Sequence, residues 1–113
     1  TIGYGLRNLA SMEEGLREIT RVLKPGGRLV ILDFGKPANH IIRSVYFLYL
    51  AGMLPVFGWL CCGNASAYAY ILKSLKKYTA QKGVTSVLRF MGYKSVQVIE
   101  IMAGSMSIHI AIK

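Results

Sequence analysis

The side chains able to do chemistry are few, and they stand next to glycines or at strand ends. Arg7 and Asn8 follow Gly3-Tyr4-Gly5, where flexible backbone either approaches a ligand closely or simply makes a tight turn. Asp33 follows the apolar run Leu29 to Leu32, which puts it at the carboxyl end of a strand, where open α/β sheets bind ligands. An arginine stays protonated, so Arg7 suits stabilising an anion rather than removing a proton; an ion-pair role in the structure is the other reading. Asp33 reads as a ligand contact or as a hydrogen-bonded loop anchor. His109 lies in an alternating strand, where imidazole is more often a bonded structural group than a catalyst. Cys61 and Cys62 are adjacent and cannot form an unstrained bridge, and no His/Cys spacing suits a metal.

These residues need elements to hold them. The organising stretch is Leu23 to Phe34, which reads as a helix end with Lys24 in its last turn. Pro25 then stops the helix, Gly26-Gly27 turns the chain, and a strand follows. That strand is apolar without alternation, as expected when both faces are covered. Upstream, Thr1 to Gly3 reads as a strand tail. Ser11 opens a helix with Glu14 completing a capping box; Met12, Leu16, Ile19 and Leu23 share its apolar face, and Glu13 and Arg17 form an i,i+4 pair on the wet side. Downstream, Val84, Val87, Leu88 and Met91 mark a helix ended by Gly92. Lys94 to Met102 and Met106 to Ile112 read as strands turned at Gly104, the last with isoleucines on one face and Ser107, His109 and Ala111 on the other.

The middle of the chain is different. From Ser44 to Leu72 there is no Asp, Glu, Lys or Arg, and Ser44 to Cys62 matches the ~20 apolar residues a bilayer span requires. Gly52, Pro55 and Gly58 argue for a helix from about Ile41 to Leu54, a break at Pro55 and an apolar loop to Gly63. Core, lipid-facing flap and true span all remain open for this segment. Ser66 is placed to cap the next helix, with Tyr68, Ile71, Leu72, Leu75 and Tyr78 on one face and Lys73, Lys76 and Lys77 on the other. The whole chain of 113 residues is 53% hydrophobic and carries a net charge of 14 − 5 = +9. A mean hydropathy of +0.41 beside that charge favours an anionic membrane surface over nucleic acid as a partner. The N-terminus lacks the layout of a signal peptide, and a reduced, cytoplasmic setting is expected.

The order of elements resembles the second half of a Rossmann-like methyltransferase, a fold that ends its sheet with an antiparallel hairpin. Arg21-Val22-Leu23-Lys24-Pro25-Gly26-Gly27 is common to many S-adenosylmethionine-dependent methyltransferases. Gly5-Leu6-Arg7-Asn8 is narrower, as is Leu32-Asp33-Phe34-Gly35-Lys36-Pro37. Leu54 to Gly58, Tyr68 to Leu75, Met91-Gly92-Tyr93 and the Gly104 to His109 ending complete the pattern. Together they resemble the UbiE/MenG/Coq5 family of quinone-biosynthesis C-methyltransferases over nearly the whole chain.

The resemblance implies an α/β fold, the C-terminal half of a class I methyltransferase with parallel strands and a terminal antiparallel hairpin. Residues 1–113 would form the C-terminal part of one domain, with residues 39–83 as an apolar helical insertion capping substrate or facing membrane. It implies S-adenosyl-L-methionine as cofactor and a prenylated quinol as substrate. The family's Gly-rich loop and acidic ribose partner would lie upstream, so the isolated chain is expected to be inactive and to bind the cofactor poorly. Gly3 stands where the family often has a serine contacting the cofactor, so Gly3 and Tyr4 would contribute backbone. Arg7 and Asn8 would hold a ring hydroxyl, and Asp33, Tyr68, Tyr70 and His109 would contact substrate. Tyr78-Thr79 replaces the usual aromatic-Pro, and Ala69 stands where some members carry Arg. The expected setting is cytoplasmic and peripheral to the inner membrane face, with a homo-oligomer left open. The competing readings are a non-enzymatic membrane-associated α/β module and a small single-span membrane protein.

Overall fold

A computed structural model describes the chain from Thr1 to Lys113 apart from Asn64 and the side chains of residues 62 and 65–69. It divides into two compact units, Thr1–Lys36 with Thr79–Lys113, and Pro37–Tyr78.

The first unit is built on a four-stranded sheet in the order β1-β2-β4-β3, with β1 at Ile2–Gly3, β2 at Arg28–Phe34, β3 at Ser95–Ile101 and β4 at Met106–Ile112. β1 and β2 are parallel, and β4 lies antiparallel to both β2 and β3, so the expected closing hairpin is present with its second strand inserted next to β2. Helix α1 (Met12–Val22) joins β1 to β2, and α4 (Ala80–Phe90) precedes β3. Ser11 caps α1 as expected, its Oγ accepting from the Glu14 amide at 3.3 Å. The helix ends earlier than the sequence suggested: Leu23 is already extended, and Lys24 lies outside the last turn. A residue preceding proline is pushed out of helical backbone, which bars Lys24 from the helix, and the chain leaves it one residue earlier still, at Leu23. Gly26 then turns at φ +75°. On the wet side of α1 the ion pair among the described residues is Glu18 with Arg21 at 2.9 Å, not Glu13 with Arg17. The three-residue spacing reaches as well as the four-residue one.

Burial alternates along β2 and β4, which corrects the expectation of a strand covered equally on both faces. Leu29, Ile31 and Asp33 are buried, and so are Ser107, His109 and Ala111, which sit opposite them in register. Val30, Leu32 and Phe34, with Ile108, Ile110 and Ile112, are only half-buried. On β4 the polar face is thus the inner one, because α4 packs there: its Gln81 carbonyl meets His109. α1 joins α4 through Thr20 Oγ1, which lies 2.9 Å from the Tyr93 hydroxyl just beyond α4. The Lys113 ammonium donates to the Leu23 carbonyl at 2.6 Å and also to that of Thr20, satisfying carbonyls left over at the end of α1.

The second unit is a helical hairpin of α2 (His40–Cys62) and α3 (Ala65–Lys77). Pro55 does not break α2; the helix continues through it for seven more residues, to Cys62. Proline removes one donor, but a segment with no charged side chain beyond Arg43 offers its remaining backbone groups few partners other than the helix itself. The operative signals are at the ends. Asn39 Oδ1 accepts from the amides of Ile41 (2.8 Å) and Ile42 (3.4 Å), and Gly63 closes the helix in the left-handed conformation at φ +64°. Ser66 falls inside α3 rather than at its cap.

Candidate functional site

The parallel register of β1 and β2 pairs Ile2 with Ile31 and Gly3 with Leu32, so both strands end at the same edge of the sheet. Tyr4 follows at once in left-handed backbone (φ +54°), its amide held by the Leu32 carbonyl at 2.8 Å. The strained turn therefore falls on Tyr4, while neither Gly3 nor Gly5 has a positive φ. Asn8 steadies the turn by donating from Nδ2 to the Tyr4 carbonyl at 3.3 Å. Between them, Leu6–Asn8 form a single 3-10 turn whose Leu6 is fully buried.

That turn delivers Arg7 to Asp33. The Asp33 side chain is 1% exposed; its Oδ1 accepts from the Phe34 amide at 2.8 Å and its Oδ2 from the Arg7 amide at 3.3 Å. The Arg7 Nε lies 3.6 Å from Oδ1, and the guanidinium stacks 4.9 Å above the Phe34 ring. Tyr4 completes the group, its ring centroid 5.2 Å from that of Phe34. Burial pushes the Asp33 carboxyl above the usual carboxylate range, against the opposing pull of the Phe34 and Arg7 amides and the Arg7 charge. Arg7, Asn8, Asp33 and Tyr4 thus meet at one strand edge.

A second buried cluster lies on the same sheet face. His109, 1% exposed, donates from Nε2 to the Gln81 carbonyl at 3.2 Å, since a carbonyl only accepts; Nδ1 then carries the lone pair and has no hydrogen-bond partner among the described residues. Burial pulls the imidazole below its ordinary range, more than the Gln81 carbonyl and the nearby Asp33 charge push it up. The Gln81 side chain is a clamp. Oε1 accepts from the Lys36 amide at 2.9 Å, and Nε2 donates to the carbonyls of Gly104 (3.1 Å) and Lys36 (3.4 Å) and approaches Glu100 Oε1 at 3.4 Å. A side chain at Gly35 would meet this clamp, with a Cβ 2.3 Å from the Gly104 oxygen and 2.5 Å from Gln81 Nε2. Sequence reasoning missed Gln81. Its signal was phase: it stands three and seven residues before Val84 and Leu88, the buried stripe of α4.

In the second unit, α2 exposes an apolar surface that includes Ile41, Leu48 (75% exposed), Trp59 (70% exposed) and Leu60. Val45, Leu48, Tyr49, Gly52, Met53 and Val56 line a groove of about 430 Å³ along it. By length and composition α2 can cross a membrane over His40–Cys61, and little of that span is buried in the chain. On α3, Tyr70 is exposed, as are Lys73, Lys76 and Lys77; the Tyr68 side chain lies outside the described residues.

A mixed sheet with an antiparallel closing hairpin, and a polar cluster where two parallel strands end, is part of a Rossmann-like class I methyltransferase fold. The family model of the ubiE/COQ5 methyltransferases matches residues 1–113, and the chain belongs to that family. It is 40% identical over all 113 residues to a demethylmenaquinone methyltransferase of Clavibacter sepedonicus, covering 46% of that protein. It is 35% identical to the ubiquinone/menaquinone biosynthesis C-methyltransferases UbiE of Azotobacter vinelandii and Pseudomonas fluorescens, covering 45% and 44% of them. The chain thus spans about half the length of the curated relatives it matches.

Proposed function

We propose that the chain supplies the substrate-handling part of an S-adenosylmethionine-dependent C-methyltransferase acting on a prenylated quinol of menaquinone or ubiquinone biosynthesis. The observation that carries this reading is the Arg7–Asp33 pair at the carboxyl ends of β1 and β2, with the Arg7 guanidinium stacked on the Phe34 ring. Methylating a ring carbon requires that an adjacent hydroxyl be polarised or ionised, so that electron density reaches the carbon. Arg7 stabilises the developing phenolate by charge and hydrogen bonding, and Asp33 and Phe34 fix its orientation beforehand. Asp33 acts here as a positioning residue, since two backbone amides and Arg7 already engage its carboxyl. Asn8 holds the loop that carries Arg7.

S-adenosylmethionine fits the edge of β1. A Cβ built on Gly3 meets nothing within 4 Å, so backbone there is open to a ligand. Gly3 would hold the cofactor through its main-chain groups, and Tyr4 through the remaining lone pair of its carbonyl, its amide being taken by the Leu32 carbonyl. When bound, it supplies a methyl on a positively charged sulfur. The α2 groove, whose lining is apolar, is by itself suited to a prenyl chain. α2 and the exposed lysines of α3 attach the protein to an anionic membrane surface from the cytoplasmic side, each lysine contributing on the order of 1 kcal/mol.

The test is a chimera in which these 113 residues replace the matching segment of the Clavibacter sepedonicus relative. Methyl transfer from labelled S-adenosylmethionine to a demethylated prenyl naphthoquinol or benzoquinol is the expected result. A folded chimera that binds the cofactor and methylates neither quinol overturns the reading.

A further inference from the structure

The turns at the two edges of the sheet are made differently. At the edge where β2 begins, Gly26 (φ +75°) follows α1 and Gly92 (φ +82°) follows α4, so glycine takes the left-handed positions. At the edge where β1 and β2 end, Gly104 does the same, but Tyr4 (φ +54°), Ala80 (φ +52°), Met102 (φ +51°) and Ala103 (φ +56°) are left-handed too. These four are all the non-glycine residues of positive φ among the described residues. A β-carbon makes that backbone unfavourable, and such strain persists where surrounding bonds over-determine it, above all at ligand clamps.

The bonds that over-determine Met102 and Ala103 come from both sides. Gln81 Nε2 donates to the Gly104 carbonyl at 3.1 Å, and the Gly35 amide, one residue past β2, donates to the Ser105 carbonyl at 2.9 Å. Ser105 turns its hydroxyl back onto the Met102 carbonyl at 2.9 Å. What the turn leaves in the open is the Met102 side chain, 73% exposed. Glycine there would relieve the strain and lose little packing, which points to a contact outside the fold. Register puts that contact in line with the site: Phe34 pairs with Met106, and Met106 with Ile101, the residue before Met102. Two strand spacings, about 10 Å, separate β3 from β2. Tyr4, the Arg7–Phe34 stack and Met102 thus follow one another along one edge of the sheet.

We propose that Met102 is a specificity-determining residue for the ring that Arg7 engages, an apolar wall on the side away from Gly3 and Tyr4 that favours a fused second ring over oxygen substituents. This rests on the C-methyltransferase reading above. A polarisable thioether packs well against an aromatic ring. Oxygen substituents gain no hydroxyl donor from the turn, because that of Ser105 is already used.

The quinol assay on the chimera tests it, with a prenyl naphthoquinol set against a prenyl benzoquinol that carries methoxy groups. Met102→Gly and Ala103→Gly each relieve a left-handed residue, so neither should lower the Tm. Only Met102→Gly is expected to lower the ratio of kcat/KM for naphthoquinol over benzoquinol, by about tenfold or more. Met102→Asn, which tolerates the same backbone but presents an amide, should shift the ratio in the same direction. As a readout free of turnover, 1-naphthol added to the chimera labelled at its methionine methyls should move the Met102 resonance, identified by its absence from Met102→Gly. A ratio unchanged in both Met102 variants, or moved equally by Ala103→Gly, overturns the inference and leaves the methyltransferase reading standing. A Met102 resonance indifferent to 1-naphthol overturns it as well. A folded chimera that methylates neither quinol overturns the earlier reading and this one with it.

Discussion

The inner face of the sheet and the helix α2 manage polarity in opposite ways. On the sheet face Asp33, Ser107, His109 and Gln81 are buried among Leu29, Ile31 and Leu88, and the polar atoms of Asp33 and Gln81 and the Nε2 of His109 all have named partners in the chain. α2 has almost no polar groups to satisfy beyond its ends, and it turns Leu48, Trp59 and Leu60 outward. Buried polar groups specify one arrangement, because each lost partner costs more than a lost apolar contact. Exposed apolar groups specify an environment instead, and that environment lies outside the chain.

The sharpest way to break the comparison is to ask what α2 touches. Surface attachment through α2 and the α3 lysines is expected to be reversed by washing membranes with high salt or carbonate, since headgroup attraction decays over a Debye length of about 8 Å at physiological ionic strength. Retention through both washes, with release only by detergent, would show that α2 spans the bilayer and that Pro55 sits within it.

Next in size is Arg7. In the chimera, Arg7→Ala is expected to lower turnover by about 100-fold, the scale of losing a group that stabilises developing negative charge. Affinity for S-adenosylmethionine should change little, because the reading assigns Gly3 and Tyr4, not Arg7, to the cofactor. Equal losses in turnover and cofactor affinity would make Arg7 a structural partner of Asp33 and nothing more. The same variant leaves Asp33 buried without its cation, so a parallel loss of stability is expected, and the split between kinetic constants is what separates the two roles.

How much of this was legible in the sequence depended on how local its cause was. The turn from Leu23 to Phe34 was readable because proline, glycine and apolar run act within a few residues of themselves. The closing hairpin was readable from the Gly104 turn and the alternation of β4. The family motifs pointed to Arg7 and Asp33, though not to their meeting at 3.6 Å. Pro55 misled, because a local propensity was read as a boundary while the boundary signals, Asn39 and Gly63, stood elsewhere. Gln81 was invisible as a site because its bonds reach Lys36, 45 residues away, and Gly104, 23 residues away. No local rule marks a side chain whose partners are set by the folding of the sheet.

Gln81 is accordingly the place to test how far hydrogen bonding defines the inner face. Gln81→Ala strands the Lys36 amide and the Gly104 carbonyl, and leaving buried groups unsatisfied should cost about 2 kcal/mol. The urea midpoint is expected to fall with the slope unchanged, and the Lys36 amide should exchange its hydrogen faster than in the wild type. A variant as stable as the parent, with Lys36 still protected, would mean that water replaces the clamp at no cost.

The smallest effect is a slope with pH, and its sign follows from burial. His109 is held neutral, its folded pKa below the ordinary value of about 6.5. A group depressed in this way contributes stability that is fully present above the unfolded pKa and is lost as pH falls through and below it, because the unfolded chain takes up the proton more readily. Asp33 has the opposite sign, in a lower window. Its folded pKa is raised, so its contribution is present below the usual carboxylate range and declines as pH rises through the folded value. Since Asp33 lies on the same sheet face and its charge favours a protonated His109, the two titrations are linked. Denaturation midpoints measured from neutral pH down to just above the carboxylate range should therefore fall for the wild type. His109→Gln, which keeps a donor toward the Gln81 carbonyl but cannot titrate, should be flatter over that interval. Equal slopes in the two proteins would show that protons enter elsewhere, and that the unpartnered Nδ1 of His109 is not where acid opens the inner face.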